Sequence, residues 1–178
     1  MRETSSTSSV TWSVLRQNAW RLGSVMDDSS TPLTPAESAF LAELEARGVR
    51  YLVVGMSAAL MQGVRGATVD FDLWFEDPSD PRIGEAARAL GGFFVTRSQP
   101  PMLGGAFAER FGVVTHMSGL PDFAHEFEGA LTVTLGATHL RVLPLPRILH
   151  SKRAANRAKD QLAIAQIEQT LAVLRARA

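Results

Sequence analysis

One stretch, residues 51–75 (YLVVGMSAALMQGVRGATVDFDLWF), constrains the fold of this chain more than any other. It holds two short apolar runs with strand character, YLVV and the alternating VDFDLWF, and between them lie a glycine turn and a helix-like segment that ends near Gly63. A strand that leads through a glycine turn into a helix directs free backbone N–H groups and a positive dipole end to one place. We therefore predict that the turn from Gly55 to Ser57 faces a phosphate group.

The second run of this stretch carries two acidic residues. Because side chains alternate along a strand, Asp70 and Asp72 share one face, while Phe71, Leu73 and Phe75 share the other. The apolar face belongs to the core, and the carboxylates are left together with their Cα atoms about 7 Å apart. Like charges at this spacing repel unless a cation lies between them. Mg²⁺ (or Mn²⁺), which binds through one or two carboxylates and substrate phosphates, is the cation that we expect.

This order of features resembles the nucleotidyltransferase superfamily related to DNA polymerase beta, and within it the small bacterial members grouped with AbiEii-type toxins. The alternation alone fits a solvated strand face as well as a metal site, and the preceding Gly55 turn and Thr68 favour the metal site. The resemblance implies an α/β (α+β) nucleotidyltransferase fold, a mixed sheet flanked by helices with further helices at the C-terminus. The residues that carry it span most of the chain and are Gly55, Ala58, Gly63, Thr68, Asp70, Asp72, Leu73, Lys152, Lys159 and Asp160.

The activity that this resemblance implies is transfer of a nucleotidyl group from a nucleoside triphosphate to a hydroxyl on RNA, protein or a small molecule. Asp70 and Asp72 would be the catalytic residues and the metal ligands, and Lys152 would offset negative charge by electrostatics. Lys159 and Asp160 would fix the junction between two C-terminal helices. The implied nucleotide-binding residues are Gly55, Ser57, Arg65, Thr68 and Lys152.

The chain also departs from the family pattern, most of all at a third acidic position on a later strand. Alignment of that strand places Gly112 there, and Glu109 has the wrong strand parity unless a bulge intervenes. Met56 stands where the family has a second Gly or Ser, and Gly66 stands where close relatives have Arg. These departures keep a second hypothesis open, a degenerate member of the fold that binds a nucleotide or a protein partner without turnover. A third hypothesis, a neutralising partner in a toxin–antitoxin pair, follows from the resemblance alone.

Bulk composition excludes several classes of protein. The chain has 178 residues, of which 46% are hydrophobic and 20% charged, and its 18 basic and 18 acidic residues cancel, so no global field draws it to nucleic acid or to a membrane. It has no cysteine, which excludes disulfides and thiol catalysis and fits a reducing compartment. No apolar run reaches the length of a membrane span, and the polar start lacks the apolar core of a secretory signal. We expect a cytoplasmic protein.

Local signals predict the domain boundaries and the remaining elements. Residues 1–33 are predicted to form a flexible arm with a short amphipathic stretch, and residues 34–178 to form the nucleotidyltransferase-like domain, helical over about 146–176. Thr34, Pro35 and Glu37 form a capping-box pattern that begins a helix. LTVTL and THLRVL predict a hairpin, 106–117 a strand, and SQPPMLGG a loop. Trp74 lies on the face of Asp72, where it either packs or lines a base pocket.

Overall fold

The computed structural model describes residues 33–135 and 138–177. The predicted arm and its amphipathic stretch fall in residues 1–32, outside the described part, and Leu33 is buried. The described elements are α1 (Pro35–Ala46), β1 (Tyr51–Val54), α2 (Gly55–Leu60), β2 (Phe71–Phe75), α3 (Pro81–Ala89), β3 (Gly92–Val95), β4 (Met102–Gly105), β5 (Phe111–Val114), α4 (Phe123–Glu128), β6 (Leu131–Leu135), β7 (Thr138–Val142), α5 (Leu145–Ala155), a 3₁₀ turn (Ala158–Asp160) and α6 (Gln161–Ala176).

A mixed five-stranded sheet in the order β5-β2-β1-β7-β6 forms the centre of the molecule. Strand β1 pairs antiparallel with β2 and parallel with β7, and β2 pairs parallel with β5. Strands β6 and β7 form the antiparallel hairpin that the sequence predicts. Strands β3 and β4 make a separate two-stranded sheet. The predicted class, a mixed sheet flanked by helices with further helices at the C-terminus, is confirmed.

Helix α1 begins at the predicted capping box. The Thr34 hydroxyl accepts a hydrogen bond from the Glu37 backbone N–H at 3.3 Å, and the Thr34 N–H donates to Glu37 Oε2 at 2.7 Å. Pro35 follows the cap at the first helical position. Two donors that the helix itself leaves unpaired are thus satisfied, which confirms the predicted start of α1.

The alternation along β2 assigns its two faces as predicted. Phe71, Leu73 and Phe75 are buried on the side of α1, where Phe40 packs on Phe111 of β5 with ring centroids 5.2 Å apart. On the opposite face Trp74 is buried too, because α4 covers it. Its ring meets Phe123 edge-on with centroids 5.5 Å apart, so Trp74 packs in the core and does not line an open base pocket.

Two predictions of secondary structure are corrected, and one helix is added. SQPPMLGG is not entirely loop, because β4 begins after its prolines and pairs with β3. The ring of Phe93 lies over Gly104, and a Cβ at position 104 would overlap that ring. Glycine generally weakens a strand, but β4 requires one at this position. The predicted strand at 106–117 shortens to Phe111–Val114, after a turn closed by the hydrogen bond from Arg110 N to Phe107 O. Helix α4 was not predicted, and it begins at the Asp122 cap.

The C-terminal part is helical over the predicted span, with a break between α5 and α6. Asn156 ends α5 in the left-handed conformation, with a φ of 46°. The 3₁₀ turn then leads into α6, whose Ile167 and Leu171 are buried. Within residues 33–135 and 138–177, no helix has the length and apolar character needed to cross a bilayer.

Candidate functional site

The glycine turn between β1 and α2 lies directly against an acidic side chain of β2. Gly55 has a φ of 65°, a conformation that favours glycine, and a Cβ at this position would overlap Asp72 Oδ2. The contact follows from the sheet register, since Val54 at the end of β1 pairs with Asp72. The two features that the sequence singles out, the turn and the acid, are therefore in contact.

Asp70 lies one residue before β2, where Thr68 holds its carboxylate. The Thr68 hydroxyl lies 3.0 Å from Asp70 Oδ1 and 3.3 Å from the Asp70 backbone carbonyl. A hydroxyl has one proton to donate, so these two oxygens share it. Thr68 thereby limits the rotation of the Asp70 side chain, which is half-buried. This is a positioning contact, and it explains why a threonine stands two residues before the acid.

Gly112 lies beside both carboxylates. Strands β2 and β5 are parallel neighbours, and their register pairs Asp72 with Gly112. A Cβ at Gly112 would lie 2.8 Å from Asp72 Oδ1 and 3.8 Å from Asp70 Oδ2. Both carboxylates therefore reach one point in space, and a side chain at position 112 would project beside them. Glu109 is exposed in the turn before β5.

The carboxyl of Asp72 is electrostatically perturbed. Burial raises its pKa above the ordinary value, and the neighbouring charge of Asp70 raises it further. Three positive charges, those of Lys152, Lys159 and Arg157, oppose the rise. The acidic pair thus carries an unfavourable like-charge interaction that cations of the C-terminal segment partly relieve.

Two of those cations, Lys152 and Arg157, bind Asp160, which is 4% exposed. Lys152 Nζ lies 2.6 Å from Asp160 Oδ1, and Arg157 Nε lies 2.6 Å from Asp160 Oδ2. Burial alone would raise the pKa of Asp160, but its hydrogen bonds from Lys152 and Arg157, together with their charges, hold the pKa below the ordinary value. Asp160 therefore joins α5 to the start of α6 and holds Lys152 at the same time.

Two of the predicted nucleotide-binding residues lie in less direct positions. The Ser57 side chain is buried and its hydroxyl donates to the Val54 carbonyl at 3.0 Å, so the backbone of this turn, not the hydroxyl, is the group left to face a ligand. Arg65 is exposed in the loop that follows α2. Within the described part of the chain no hydrogen bond or ion pair ties Arg65 to the acidic pair.

Sequence reasoning missed two residues that support the site through long-range contacts. Gln62 Nε2 donates to the carbonyls of Ala58 and Leu143, and its Oε1 accepts from the Leu145 N–H at 2.9 Å, so it joins α2 to the start of α5. Arg110 binds the carboxylate of Glu37 in α1. The capping box predicts that Glu37 caps α1, but it does not predict the pairing of Glu37 with Arg110. No local sequence pattern indicates the roles of Gln62 and Arg110.

A magnesium ion fits this arrangement through two carboxylates. Asp70 and Asp72 reach a common point, and the charge of one raises the pKa of the other, which is the repulsion that a bound cation removes. Among residues 33–135 and 138–177 no group of three or more His, Cys, Asp and Glu side chains could hold a metal. The two carboxylates would thus be the protein's ligands, with water and substrate phosphates as the others, a set typical of Mg²⁺.

Comparisons with known proteins support the assignment of the fold. Neither a protein-family model nor a curated protein matches the chain. A solution structure of the antibiotic-resistance factor ANT(2'')-Ia matches with a TM-score of 0.52 at 14% identity, over 80% of this chain and 88% of that chain. A crystal structure of ANT(2'')-Ia in complex with adenylyl-2''-tobramycin matches with a TM-score of 0.51 at 15% identity, over 78% and 94%. The chain has a nucleotidyltransferase fold.

The raised pKa of Asp72 predicts a pH-dependent stability. Because the unfolded chain releases this proton near the ordinary value of 3.8 and the folded chain releases it at a higher pH, Asp72 lowers the free energy of unfolding as pH rises through its folded pKa. Asp72→Asn removes that loss. Without metal, we expect the variant to match wild type below pH 3.8 and to be equally or slightly more stable at neutral pH, as measured by urea unfolding.

The exposed Glu109→Gln variant is the control for loss of one negative charge outside the acidic pair, and its stability should stay close to wild type. A loss above about 2 kcal/mol for Asp72→Asn at neutral pH would contradict the account. It would place Asp72 in a stabilising network in which an ionised carboxylate is required.

Proposed function

We propose that this protein binds a nucleoside triphosphate together with Mg²⁺ or Mn²⁺ and transfers its nucleotidyl group to a hydroxyl. One observation carries the proposal: the carboxylates of Asp70 and Asp72 both lie beside Gly112, and the carboxylate of Asp72 also contacts the Gly55 turn. A phosphate-binding turn and two metal-binding carboxylates at one place are the parts that a metal–triphosphate complex needs. The nucleotidyltransferase fold adds independent support.

In the proposed reaction the acceptor oxygen forms a bond to the α-phosphorus and the hydroxyl proton passes to solvent. The bond from that phosphorus to the bridging oxygen breaks, and pyrophosphate leaves. The bound metal would supply stabilisation of the charge that develops on the phosphate oxygens. The Gly55 turn would place backbone N–H groups against the triphosphate, and Thr68 would hold Asp70. Lys152, steadied by Asp160, would offset negative charge close to Asp72.

The acceptor that we propose is a hydroxyl of a small molecule. The net charge of zero offers no general attraction to nucleic acid. In one structural neighbour, ANT(2'')-Ia, the bound molecule is adenylyl-2''-tobramycin, a nucleotidyl group joined to a small molecule. Hydroxyls of RNA or of a protein are the other acceptors to assay. The narrower resemblance to AbiEii-type toxins, and a place in a toxin–antitoxin pair, stay predictions of the sequence.

Nucleotide binding should appear as metal-dependent thermal stabilisation. A ligand that binds the folded state alone stabilises it by mass action, by about 2.7 kcal/mol at a hundredfold excess over Kd. We expect at least one of the four common triphosphates to raise the melting temperature with Mg²⁺ or Mn²⁺ and to lose this effect without metal. The double variant Asp70→Asn, Asp72→Asn should melt at the same temperature with and without the ligand. Melting of wild type that no triphosphate shifts would contradict the proposal.

A second function, nucleotide binding without turnover, is favoured by the glycine at position 112. Among the residues that the structure describes, no third carboxylate lies on β5 beside the acidic pair. A positioned general base contributes about 10²- to 10⁴-fold to a rate. Its absence supports either a slow transferase or a protein that only binds.

Substitutions at Gly112 separate these two functions. Gly112→Asp and Gly112→Ala both add a Cβ that would lie 2.8 Å from Asp72 Oδ1, so in both variants the flexible end of Asp72 must move. Only Gly112→Asp adds a carboxylate, at a strand-propensity cost of about 1 kcal/mol. We expect slow or absent label transfer from α-labelled triphosphate by wild type, faster transfer and tighter Mg²⁺ binding in Gly112→Asp, and neither gain in Gly112→Ala.

No transfer by wild type, with transfer by Gly112→Asp, would identify a binding protein that has lost its catalytic carboxylate. The opposite result would be wild-type transfer that Asp72→Ala abolishes and that Gly112→Asp leaves unchanged. In that case the protein is a working enzyme whose base lies elsewhere.

A further inference from the structure

Arg110, the residue immediately before β5, contacts the backbone on both sides of Asp70. Its guanidinium Nη1 donates to the Val69 carbonyl at 2.5 Å, and its own carbonyl accepts a hydrogen bond from the Phe71 N–H at 2.7 Å. Asp70 is the residue between these two contacts. The backbone on either side of one candidate metal ligand is therefore bound to a single residue that precedes the neighbouring strand.

The guanidinium of Arg110 is itself anchored on α1. Its Nε donates to Glu37 Oε1 at 2.5 Å and its Nη2 to Glu37 Oε2 at 3.4 Å. Glu37 is 3% exposed and also accepts from the Thr34 N–H. Burial alone would raise the pKa of Glu37, but the hydrogen bonds and charge of Arg110 and the bonds of Thr34 hold it below the ordinary value. A bidentate pair of this kind fixes the guanidinium in both position and orientation.

Within the described part of the chain, the segment that Arg110 holds has few other hydrogen bonds. Val69 is 76% exposed, and Asp70 precedes the first residue of β2. Exposed chain outside regular structure opens at a low free-energy cost unless specific contacts fix it. Thr68 fixes the Asp70 side chain against its own backbone, so it does not fix that backbone relative to the rest of the molecule. The Arg110 contacts do, because they lead to β5 and α1.

We propose that Arg110 is a positioning residue that sets where the Asp70 carboxylate lies relative to Asp72. The proposal rests on the proposed function, in which these two carboxylates bind a metal ion together. Metal ligands must be held close to their binding geometry, and the residues that orient them affect affinity without touching the metal. The charge of Asp70 contributes, after Glu37, to a raised pKa of Arg110, which agrees with a guanidinium close to that carboxylate.

The experiment compares Arg110→Met with a matched control, Arg147→Met. Arg147 also forms an ion pair with a buried glutamate, Glu126, which is 3% exposed. Among the residues that the structure describes, no hydrogen bond or ion pair links that pair to Asp70 or Asp72. Both variants remove a guanidinium from a buried carboxylate, so both should lose stability in urea unfolding. Manganese affinity, followed by electron paramagnetic resonance with and without triphosphate, separates them.

We expect Arg110→Met to weaken Mn²⁺ binding about tenfold or more, the range found for residues that orient metal ligands, and Arg147→Met to leave it within about twofold of wild type. Arg110→Lys keeps the charge but not the fork, so it should be more stable than Arg110→Met and should bind Mn²⁺ with intermediate affinity. If Arg110→Met does not fold, Arg110→Lys alone tests the proposal. Equal Mn²⁺ affinity in wild type and both Arg110 variants would overturn the proposal and leave Arg110 a purely structural residue.

Hydrogen exchange distinguishes failure of this proposal from failure of the proposed function. If wild type binds no Mn²⁺, the proposed function is wrong, and exchange of the backbone N–H groups of residues 68–72 still reports whether Arg110 holds this segment. We expect faster exchange there in Arg110→Met than in Arg147→Met at equal global stability. Unchanged exchange would overturn the positioning role whatever the metal result.

Discussion

The contact between the Asp72 carboxylate and the backbone of Gly55 is the constraint on which the rest of the site depends. It requires a residue without a Cβ directly after β1, a left-handed conformation there, and the register that pairs Val54 with Asp72. A slip of one residue in that register would turn Asp72 into the core and an apolar neighbour out to the surface. The hydrophobic pattern of β2 therefore does more than build the core, because it also holds the candidate metal ligand against the candidate phosphate turn.

The charges of the site come from two separate segments of the chain, one acidic and one basic. The acidic pair lies in the first half of the chain, and the cations that lower the pKa of Asp72 all come from the α5–α6 junction. Asp160 forms ion pairs with Lys152 and Arg157 there. Basic groups are therefore concentrated at this junction, although the chain as a whole has no net charge. Folding of the C-terminal helices thus offsets part of the cost of placing two carboxylates side by side. A metal–triphosphate complex would then enter a site that carries both signs of charge.

The sequence predicted those parts of the fold that depend on local chemistry. The alternation of β2, the capping box at Thr34 and the hairpin of β6 and β7 are properties of neighbouring residues, and the structure contains all three. Strand β4 was missed because its two preceding prolines are a strong local signal for loop, whereas its pairing with β3 depends on the Phe93 ring lying over Gly104.

The unpredicted parts of the site depend on contacts between distant residues. Alignment with a family pattern drew attention to Gly112, but its position beside Asp72 follows from the parallel pairing of β2 with β5, a tertiary contact. The hydrogen bonds of Arg110 and Gln62 connect elements far apart in the chain, and neither residue has a local signature that distinguishes it from an ordinary surface side chain. Supporting residues of this kind become visible only once the strands are in register.

The most direct test of the central claim is a crystal structure with Mn²⁺ and a non-hydrolysable nucleoside triphosphate, with the manganese located by anomalous scattering. The account predicts a manganese ion bound to oxygens of both Asp70 and Asp72 at about 2.1 Å, close to the distance typical of Mg²⁺, with the triphosphate against the Gly55 turn. A nucleotide seated instead in the cavity of about 450 Å³ beside Thr96 and Thr115, with no manganese at the acidic pair, would contradict it.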